Sequence, residues 1–351
     1  MRTRRNQAPR QNTNPLALGI TSRLAGAKPK PSMHSFRLNA FKGALVADAL
    51  SMPVHWYYDR LALRRDYGRV DRFLPPRNPH PNSILHRSKY TPVSPAADIL
   101  HDQAKYWGRE GIHYHQQLHA GENTLNYQLA RALYRQVVAN GRYDSGAWLR
   151  LYCDCMRIPG WHRDTYVEEY HRAFFTNLAR GRKPEACGIA DIHIGGLVPV
   201  AALFASIEEG GETLVKTVKE HVALTHDAPE VLEAAVALTR ILLAVEAGSG
   251  LREAIEQNAS GWVGQKKMQQ WAKEPDEVVV GERLSPACYI KDAFPAALYL
   301  SWKYAADFSS GIIANAHCGG DNCHRASVVG ALLGFANGVP ERWCSETSPQ
   351  L

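Results

Sequence analysis

The segment Ala314–Gly338, ANAHCGGDNCHRASVVGALLGFANG, limits the fold of this 351-residue chain more than any other stretch. Two glycines lead into an aspartate, a thiol and an imidazole, and a long apolar run follows. The pattern predicts a buried helix that begins near Asp321. The first amides of a helix lack intrahelical acceptors, so this end favours negative charge. A second polar helix start, Gly121–Thr124 (GENT), lies earlier in the chain, and we expect the fold to bring the two starts together.

Apolar side chains recur at helical spacing along most of the remaining chain. Phe41, Leu45 and Ala49, for example, share one face of a helix predicted over 36–54. The other predicted helices cover 124–140, 144–160, 164–180, 195–209, 213–223, 292–306 and 307–316, and the longest helix starts at a capping box from Asp227 to Glu230. Residues 251–285 are predicted to be polar and rich in loops, with Val278–Val280 as the best strand signal. The sequence therefore predicts an all-α fold in a single compact multi-helix domain.

A long irregular loop is predicted near 68–100, where prolines are frequent, and we expect it to be either a binding loop or poorly ordered. It is followed by histidines at 101, 113, 115 and 119. Histidines this close suggest a metal site, but they lack the helix-spaced pair beside a carboxylate that metal motifs show. We favour a polar wall next to the Gly121–Thr124 segment.

Positive charge is concentrated at the N-terminus. Residues 1–47 contain nine Lys and Arg and no acidic residue, so the rest of the chain has 32 basic and 34 acidic side chains. Residues 1–35 are predicted to be a leader, either an organelle transit peptide or a disordered basic tail. We expect an intracellular protein, cytoplasmic or, with a transit peptide, located in a mitochondrion or plastid. The predicted domain covers 36–342, and 343–351 form a tail.

The near-neutral charge of the predicted domain argues against a nucleic-acid-binding protein. No stretch is long and apolar enough for a membrane span, so no membrane partner is expected. The seven cysteines are scattered and odd in number, which argues against a secreted disulfide framework and favours a reducing compartment. The sequence leaves the oligomeric state open.

Four ordered segments together resemble the ADP-ribosylglycohydrolase family. They are Gly43–His55 (GALVADALSMPVH), Gly121–Thr124, the Thr225-His226 segment and Gly319–Gly338. The family shows a G-x-x-x-GDA-x-G-x-P-x-E segment, a T-D-D-T helix start, a T-H segment and a closing GGDTDT-x-x-x-x-G-A-x-x-G. The resemblance covers about residues 36–340, and its last segment is the most specific.

The resemblance implies an all-helical fold that hydrolyses the bond between C1 of ADP-ribose and a protein side chain or small group, with two Mg²⁺ between helix starts. The implied partners are an ADP-ribosylated protein or an ADP-ribose-type small molecule. The candidate catalytic residues are Glu122, as general base, and Asp321, as a metal or ribose anchor. The candidate substrate-binding residues are Gly121, Asn123, Asn315, Gly319, Gly320, Asn322 and His55. The candidate metal ligands are Glu122, Asn123, Asp321, Cys323 and His324.

The chain departs from the family pattern at these metal positions. Asn123 and Cys323 stand where the family has aspartates, and His324 stands where it has a threonine. Mg²⁺ requires oxygen ligands, and two such ions would keep uncompensated positive charge beside the two remaining carboxylates. We therefore expect one divalent metal such as Zn²⁺ or Mn²⁺, or none, and the two Mg²⁺ that the resemblance implies would need Asp48 or water to compensate their charge.

The leading functional hypothesis is a hydrolase of ADP-ribosyl or related glycosidic bonds. In such a reaction positive charge develops on the ribose while a carboxylate activates water, and His55 or His324 is a further acid or base candidate. The alternative is a non-catalytic family member that binds an ADP-ribose-type ligand or has a structural role, as the related jellyfish lens crystallins do. A third possibility is an enzyme for a different glycoside or nucleoside. The retained polarity at each motif position favours a functional site.

Overall fold

The computed structural model describes residues 33–348, and side chains from residue 36 onward. Within these residues the fold is all-α, with isolated β-bridges and no strand, which confirms the predicted fold class. Its helices are α1 (Met33–Ser51), α2 (Arg60–Tyr67), α3 (Leu125–Asn140), α4 (Ser145–Arg157), α5 (Glu169–Ala179), α6 (Val198–Ser206), α7 (Gly211–Ala223), α8 (Pro229–Glu246), α9 (Leu251–Asn258), α10 (Gln265–Trp271), α11 (Asp276–Val278), α12 (Ile290–Lys303), α13 (Phe308–His317), α14 (Asn322–Asn337) and α15 (Glu341–Ser345).

Short 3-10 turns join several of these helices. They cover Met52–Val54, Leu85–Arg87, Pro95–Ala97, His101–Tyr106, Pro184–Ala186 and Ile194–Leu197, and a π-helical turn covers Val279–Arg283. The predicted leader lies outside the described residues, apart from the first turn of α1. The predicted domain end at 342 falls inside α15, where Trp343 is buried and packs on Phe73 with ring centroids 5.5 Å apart. None of the described helices is both long enough and apolar enough to cross a membrane.

Three local predictions were wrong. Residues 251–285 contain α9 and α10 rather than mainly loops, because each of these short helices buries apolar residues against the core. The valines at 278–280 do not form a strand, because Val278 ends α11 and the next two enter the π-helical turn. The cap of α8 is Ala228 rather than Asp227: Pro229 occupies the first turn, and the Asp227 amide donates to the Ile189 carbonyl at 2.8 Å.

The loop predicted near 68–100 is confirmed as irregular, and it continues to the start of α3 with only short 3-10 turns. Its residues are not uniformly exposed. Leu85, His113 and His115 are buried, and the His113 ring lies 3.0 Å from the carbonyl oxygen of Pro53, in the 3-10 turn that follows α1. The loop is therefore folded onto the end of the first helix.

Helix α14 crosses α1 at the centre of the fold. Nearly every residue from Asn322 to Phe335 is buried, as expected for a helix covered on all sides. Glycines make the close approach possible: a Cβ at Gly330 would lie 2.3 Å from the Gly43 carbonyl oxygen, and one at Gly334 would lie 2.6 Å from the Asn39 carbonyl oxygen. The crossing places the end of α1 beside the start of α14.

Gly319 and Gly320 adopt φ values of 62° and 61°, a region that favours glycine. This backbone shape lets the Trp56 amide donate to the Gly320 carbonyl at 2.8 Å and the Gly320 amide donate to the Tyr57 carbonyl at 2.7 Å. A Cβ at Gly319 would lie 2.3 Å from the Tyr57 oxygen. The two glycines thus fasten the segment after α1 to the start of α14.

Candidate functional site

The starts of α3 and α14 meet, as the sequence predicts. The Tyr127 hydroxyl donates to the Cys323 carbonyl at 2.7 Å, and the Asn126 side-chain amide lies 2.6 Å from His324 Nε2. All four side chains are buried. The first turn of each helix therefore faces the other across a polar interior.

A continuous chain of buried hydrogen bonds runs through this interior. Asp164 contacts His115 Nδ1, and His115 Nε2 lies 2.7 Å from His55 Nδ1. His55 Nε2 lies 2.8 Å from Asp321 Oδ1. Asp321 in turn contacts His324 Nδ1, at 2.8 Å through Oδ1 and 3.0 Å through Oδ2. His324 Nε2 completes the chain at 3.1 Å from Glu168 Oε1.

The geometry of this chain determines where its protons lie. His55 donates from Nε2 to the Asp321 carboxylate, so a neutral His55 must accept at Nδ1 from His115 Nε2–H. His115 then accepts at Nδ1 if it is neutral, and the proton in that bond belongs to Asp164. Burial raises the pKa of Asp164 to about 7 and lowers those of His55 and His115 to about 3 and about 4, in agreement with this arrangement.

His324 is held as an imidazolium between two carboxylates. Burial alone lowers its pKa, but the charges and hydrogen bonds of Asp321 and Glu168 raise it well above the ordinary value. The same contacts act in reverse on the carboxylates. Burial raises the pKa of each carboxylate, but the positive charge and hydrogen bonds of His324 lower it by more. The pKa of Glu168 therefore falls to about 2, and that of Asp321 falls below its usual range. At neutral pH Asp321 and Glu168 therefore carry negative charge, and His324 between them carries positive charge.

Asp321 and His324 open onto a cavity of about 220 Å³, which we call the aromatic cavity. Five aromatic side chains line it: Trp56, Tyr58, Tyr114, Tyr166 and Tyr170. Its carboxylates are Glu168, Glu169 and Asp321. His55 lies directly behind the wall, because the indole of Trp56 stacks on its ring at 3.9 Å between centroids.

Glu122 does not share this cavity. Its carboxylate binds the Arg163 guanidinium at 2.6 Å and lines a second cavity, of about 640 Å³, together with Asn123, Arg131 and Arg135. Glu122 also accepts from the His119 amide at 2.6 Å, three residues earlier. The two predicted catalytic carboxylates, Glu122 and Asp321, thus line different cavities.

Most of the predicted substrate-binding residues hold the scaffold together. Asn123 donates to Asp48 Oδ2 at 2.9 Å, and Asn322 donates to the Val54 carbonyl at 3.2 Å. Asn315 donates to the Asn322 carbonyl at 2.9 Å. The carbonyl oxygen of Gly121 accepts from the Ser348 amide at 2.9 Å. These side chains and carbonyls are engaged inside the protein rather than at the wall of the aromatic cavity.

The backbone amides of Gly319, Gly320 and Asp321 are likewise occupied. The Gly319 amide donates to the Ala316 carbonyl at 3.1 Å, the Gly320 amide to Tyr57, and the Asp321 amide to the Pro286 carbonyl at 2.8 Å. The glycines are needed for backbone pairing, which uses the same N–H groups that an anion would require.

A sequence model of ADP-ribosylglycohydrolases matches residues 32–349 of this chain. The chain belongs to the ADP-ribosylglycohydrolase family. The fold agrees: the chain is similar to a solved structure described as an ADP-ribosylglycohydrolase-related protein complex, with 19% sequence identity, a TM-score of 0.54, and 90% of this chain and 93% of the other covered. At this identity the likeness concerns the fold alone. No curated protein matches the chain.

ADP-ribosylglycohydrolases usually bind divalent metals, but the donors here do not fit a pair of Mg²⁺. Asn123 directs its NH₂ group toward Asp48, and Glu122 is paired with Arg163. Burial raises the pKa of the Cys323 thiol well above its ordinary value, and sulfur is not a ligand that Mg²⁺ favours. Mg²⁺ prefers several oxygen ligands in octahedral geometry, and of the positions that the family pattern uses for metal only Glu122 and Asp321 carry a carboxylate here.

A different donor set is present at the aromatic cavity. His55, Asp321 and His324 each offer one ligand atom, and the three atoms lie within 4.8 Å of one another. A second set, within the same limit, consists of His55, His115 and Cys323. Imidazole and thiolate ligands suit Zn²⁺ and similar ions better than Mg²⁺. The single Zn²⁺ or Mn²⁺ expected from the sequence stays a prediction, with His55, Asp321 and His324 as its candidate ligands.

The sequence missed several residues of this site. Glu168 precedes α5 with no motif around it, and Asp164 lies in a stretch predicted to be helical. His115 lies in the histidine-rich stretch that we interpreted as a polar wall, but its pairing with His55 joins residues 60 positions apart. The aromatic run Trp56-Tyr57-Tyr58 after the Pro53 turn was the one available signal for the cavity wall.

Proposed function

We propose that this ADP-ribosylglycohydrolase family member is a glycosidic-bond hydrolase whose reaction takes place in the aromatic cavity. The bond is the one between C1 of a ribose and a leaving group. The family relationship favours ADP-ribose attached to a protein side chain or small acceptor. The observation that carries the proposal is the pair of carboxylates on the cavity wall: Asp321, which is fully buried, and Glu168, whose side chain is 20% exposed.

The chemistry of glycoside cleavage explains why such carboxylates matter. Water adds through its oxygen to C1, the C1–leaving-group bond breaks with its electron pair going to the leaving atom, and one water proton passes to that atom or to solvent. The transition state resembles an oxocarbenium ion, so positive charge develops on the sugar. Preorganised carboxylates stabilise this charge without reorganising.

The low pKa values favour electrostatic roles. Asp321 and Glu168 stay ionised across the neutral range, because His324 lies between them. A carboxylate with such a pKa is a weak base, and it suits a reaction in which bond breaking is far ahead of water attack. We assign Asp321 to the sugar and Glu168 to orienting the water, and His324 positions both.

A metal is not needed to give this site its positive charge. The His324 imidazolium neutralises part of the carboxylate charge, at the position where the family pattern has a metal-binding threonine. If the predicted Zn²⁺ or Mn²⁺ binds to His55, Asp321 and His324, it would polarise an oxygen of water or ribose. The carboxylate roles given above are the same with or without it.

Matched amide variants test the proposal. Purified protein is incubated with ADP-ribosylated Arg and Ser peptides and with simple N- and O-ribosides, and products are separated by chromatography. We expect Asp321→Asn to lower turnover about 100-fold or more. Glu122→Gln makes the same change in the other cavity and serves as the control, with a fall of less than about threefold expected. If Glu122→Gln is the damaging variant, the general base is Glu122 and the cavity assignment is wrong.

The non-catalytic alternative has one observation in its favour. Asn123 and Cys323 hold the scaffold around Asp48 where catalytic family members use carboxylates for metal. If the wild-type protein cleaves none of these substrates, with or without added Zn²⁺ or Mn²⁺, while still binding one of them, the chain is a ligand-binding family member and not a hydrolase.

A further inference from the structure

We propose that the second cavity, the one lined by Glu122, is a binding site for a small phosphate monoester with a planar group attached, of the nucleoside monophosphate class. We call it the basic cavity. Among the described residues, it has no lining residue in common with the aromatic cavity. Its ligand therefore adds to the proposed function and does not depend on it.

The basic cavity is large enough for a nucleotide. Its volume is about 640 Å³. Small-molecule sites usually range from about 300 to 1,000 Å³. A phosphate ion alone would fill only a small part of this space, so the size points to a phosphate that carries a larger organic group.

One face of α3 forms a wall of the basic cavity. The residues of this face that line it are Gln128, Arg131, Ala132, Arg135 and Gln136. Their spacing is that of neighbours on one side of a helix. The opposite face of α3 carries the buried Leu129 and Leu133, so the wall is fixed to the core.

Basic groups outnumber acidic ones in this cavity. Arg131, Arg135 and Arg163 line it, and Glu122 is the one acidic residue among the described lining residues. Arg131 and Arg135 are four residues apart on the same helix face, where like charges repel each other. Burial and the charge of Arg135 lower the pKa of Arg131 to about 10, so Arg131 is still protonated at neutral pH. An anion between the two guanidinium groups would relieve this repulsion.

The carboxylates near this wall leave guanidinium N–H groups available. Glu122 binds Arg163 through Nη2 alone, at 2.6 Å, so the Nε–H and Nη1–H groups of Arg163 donate to no described residue. Asp48 is buried and accepts from the Thr124 amide and hydroxyl at 2.9 Å each. Arg135 is exposed and forms no ion pair with any described residue. Guanidinium groups bind phosphate oxygens through paired N–H groups, which makes a phosphate the anion that fits this wall.

The remaining lining residues suit a nucleoside. Trp161 packs partly against the core and provides an aromatic surface on which a base can stack. The NH₂ groups of Gln128 and Gln136 donate to backbone carbonyls, at 2.8 Å and 2.9 Å. Their side-chain oxygens accept from no described residue and can accept from the N–H and O–H groups of a base and a ribose. The cavity therefore combines groups for a phosphate, a ring and a set of hydrogen-bond donors.

Binding is measured by isothermal titration calorimetry of the full chain at about 0.1 M salt, where distant charges are largely screened. The probes are AMP, adenosine, which lacks the phosphate, and inorganic phosphate, which lacks the nucleoside. We expect AMP to bind at least about tenfold more tightly than either, because charged hydrogen bonds and a stacked base each add to its affinity. If adenosine or phosphate binds as tightly as AMP, or if AMP does not bind at millimolar concentration, the proposal is overturned.

A charge variant tests the position of the phosphate. Arg135→Glu should weaken AMP binding about tenfold or more, because it removes one attraction and adds one repulsion at an exposed position. Arg180→Glu makes the same change at an exposed position outside the cavity lining and is the control. The control should lose less than about twofold, because its charge is screened from the cavity.

A size variant tests whether the ligand lies inside the basic cavity. Ala132→Leu enlarges a side chain of the α3 wall, and the overpacking should weaken AMP binding about tenfold or more. Leucine is a good helix former, so α3 should be kept, and circular dichroism checks this. Ala139→Leu, at an exposed position of the same helix outside the lining, is the control. AMP binding that neither Arg135→Glu nor Ala132→Leu weakens would place the nucleotide elsewhere and overturn the proposal.

Binding in the basic cavity and turnover in the aromatic cavity are measured separately. AMP binding that the two variants weaken, in a protein that cleaves no glycoside, would support this site and refute the hydrolase. Cleavage of ADP-ribosyl peptides by a protein that does not bind AMP would support the hydrolase and refute this site.

Discussion

The crossing of α1 and α14 predicts a large effect for a very small substitution, Gly330→Ala. The new Cβ would lie 2.3 Å from the Gly43 carbonyl oxygen and 2.7 Å from the Ala47 Cβ, whereas ordinary contact begins at 3.4 Å. Neither neighbour can rotate away, because one is backbone and the other is a Cβ. The helices must therefore separate by about 1 Å at a point where the interior is closely packed.

Overpacking of this kind costs about 3 kcal/mol. The alanine returns about 1 kcal/mol in helix propensity. We therefore expect Gly330→Ala to lower the free energy of unfolding by about 2 kcal/mol, measured by urea unfolding followed by circular dichroism. Because α14 begins beside Asp321, the displacement should also lengthen its 2.8 Å contact with His55. Turnover or ligand binding should fall by more than the loss of folded protein.

Gly261→Ala is the matched control, since a Cβ there meets nothing within 4 Å and the glycine has no positive φ. This substitution should be neutral or stabilise the fold by up to about 1 kcal/mol, by restricting the unfolded chain. The reasoning is refuted if Gly330→Ala is as stable as the wild type or as Gly261→Ala. It is also refuted if Gly330→Ala destabilises the protein without any change at the site.

Three further predictions follow from the buried polar groups. Burial lowers the pKa of His221 to about 3, below the unfolded value of 6.5, so its contribution to stability is complete above pH 6.5 and is lost as the pH falls toward 3. When the free energy of unfolding in urea is plotted against pH between about pH 6 and pH 4, His221→Gln should lower the slope by about 1.4 kcal/mol per pH unit. An unchanged slope would contradict this. Arg325→Met should cost about 3–5 kcal/mol in the same assay, because Arg325 is buried and donates to Asn315 Oδ1 and the Gly319 carbonyl at 2.8 Å each, while exposed Arg150→Met should cost under about 0.5 kcal/mol. Millimolar Mg²⁺ should leave the melting temperature unchanged in a thermal shift assay, and a saturable rise would refute the donor-set argument.

The helical architecture could be predicted because it depends on local patterns. The spacing of Phe41, Leu45 and Ala49 and the apolar run after Asp321 both indicated helices, and these became α1 and α14. The meeting of the α3 and α14 starts was also predictable, since both starts are polar and the family pattern joins them. Helix ends were less predictable where proline or tertiary contacts determined them, as at Asp227.

The candidate site was only partly predictable, because its hydrogen bonds join distant segments. Asp321 and His324 stand in a recognisable motif, but Glu168 becomes important only through its contact with His324, 156 positions later in the chain. Glu122 shows the opposite case. Its sequence position favoured a catalytic role, yet the salt bridge to Arg163 turns it toward the other cavity. A motif names residue types and not the directions in which their side chains point.

The loop between α2 and α3 and the two crossing helices supply different residues of the site, and this separation has evolutionary consequences. It contributes Tyr114 to the cavity wall and His115 to the buried hydrogen-bond chain, while the two crossing helices supply Asp321 and the backbone that holds Trp56. Insertions and replacements in such a loop do not require the helices to move. Proteins that share this fold can therefore change their ligand through substitutions and insertions in the loop, while the glycine-packed pair of helices keeps the Asp321 carboxylate in place.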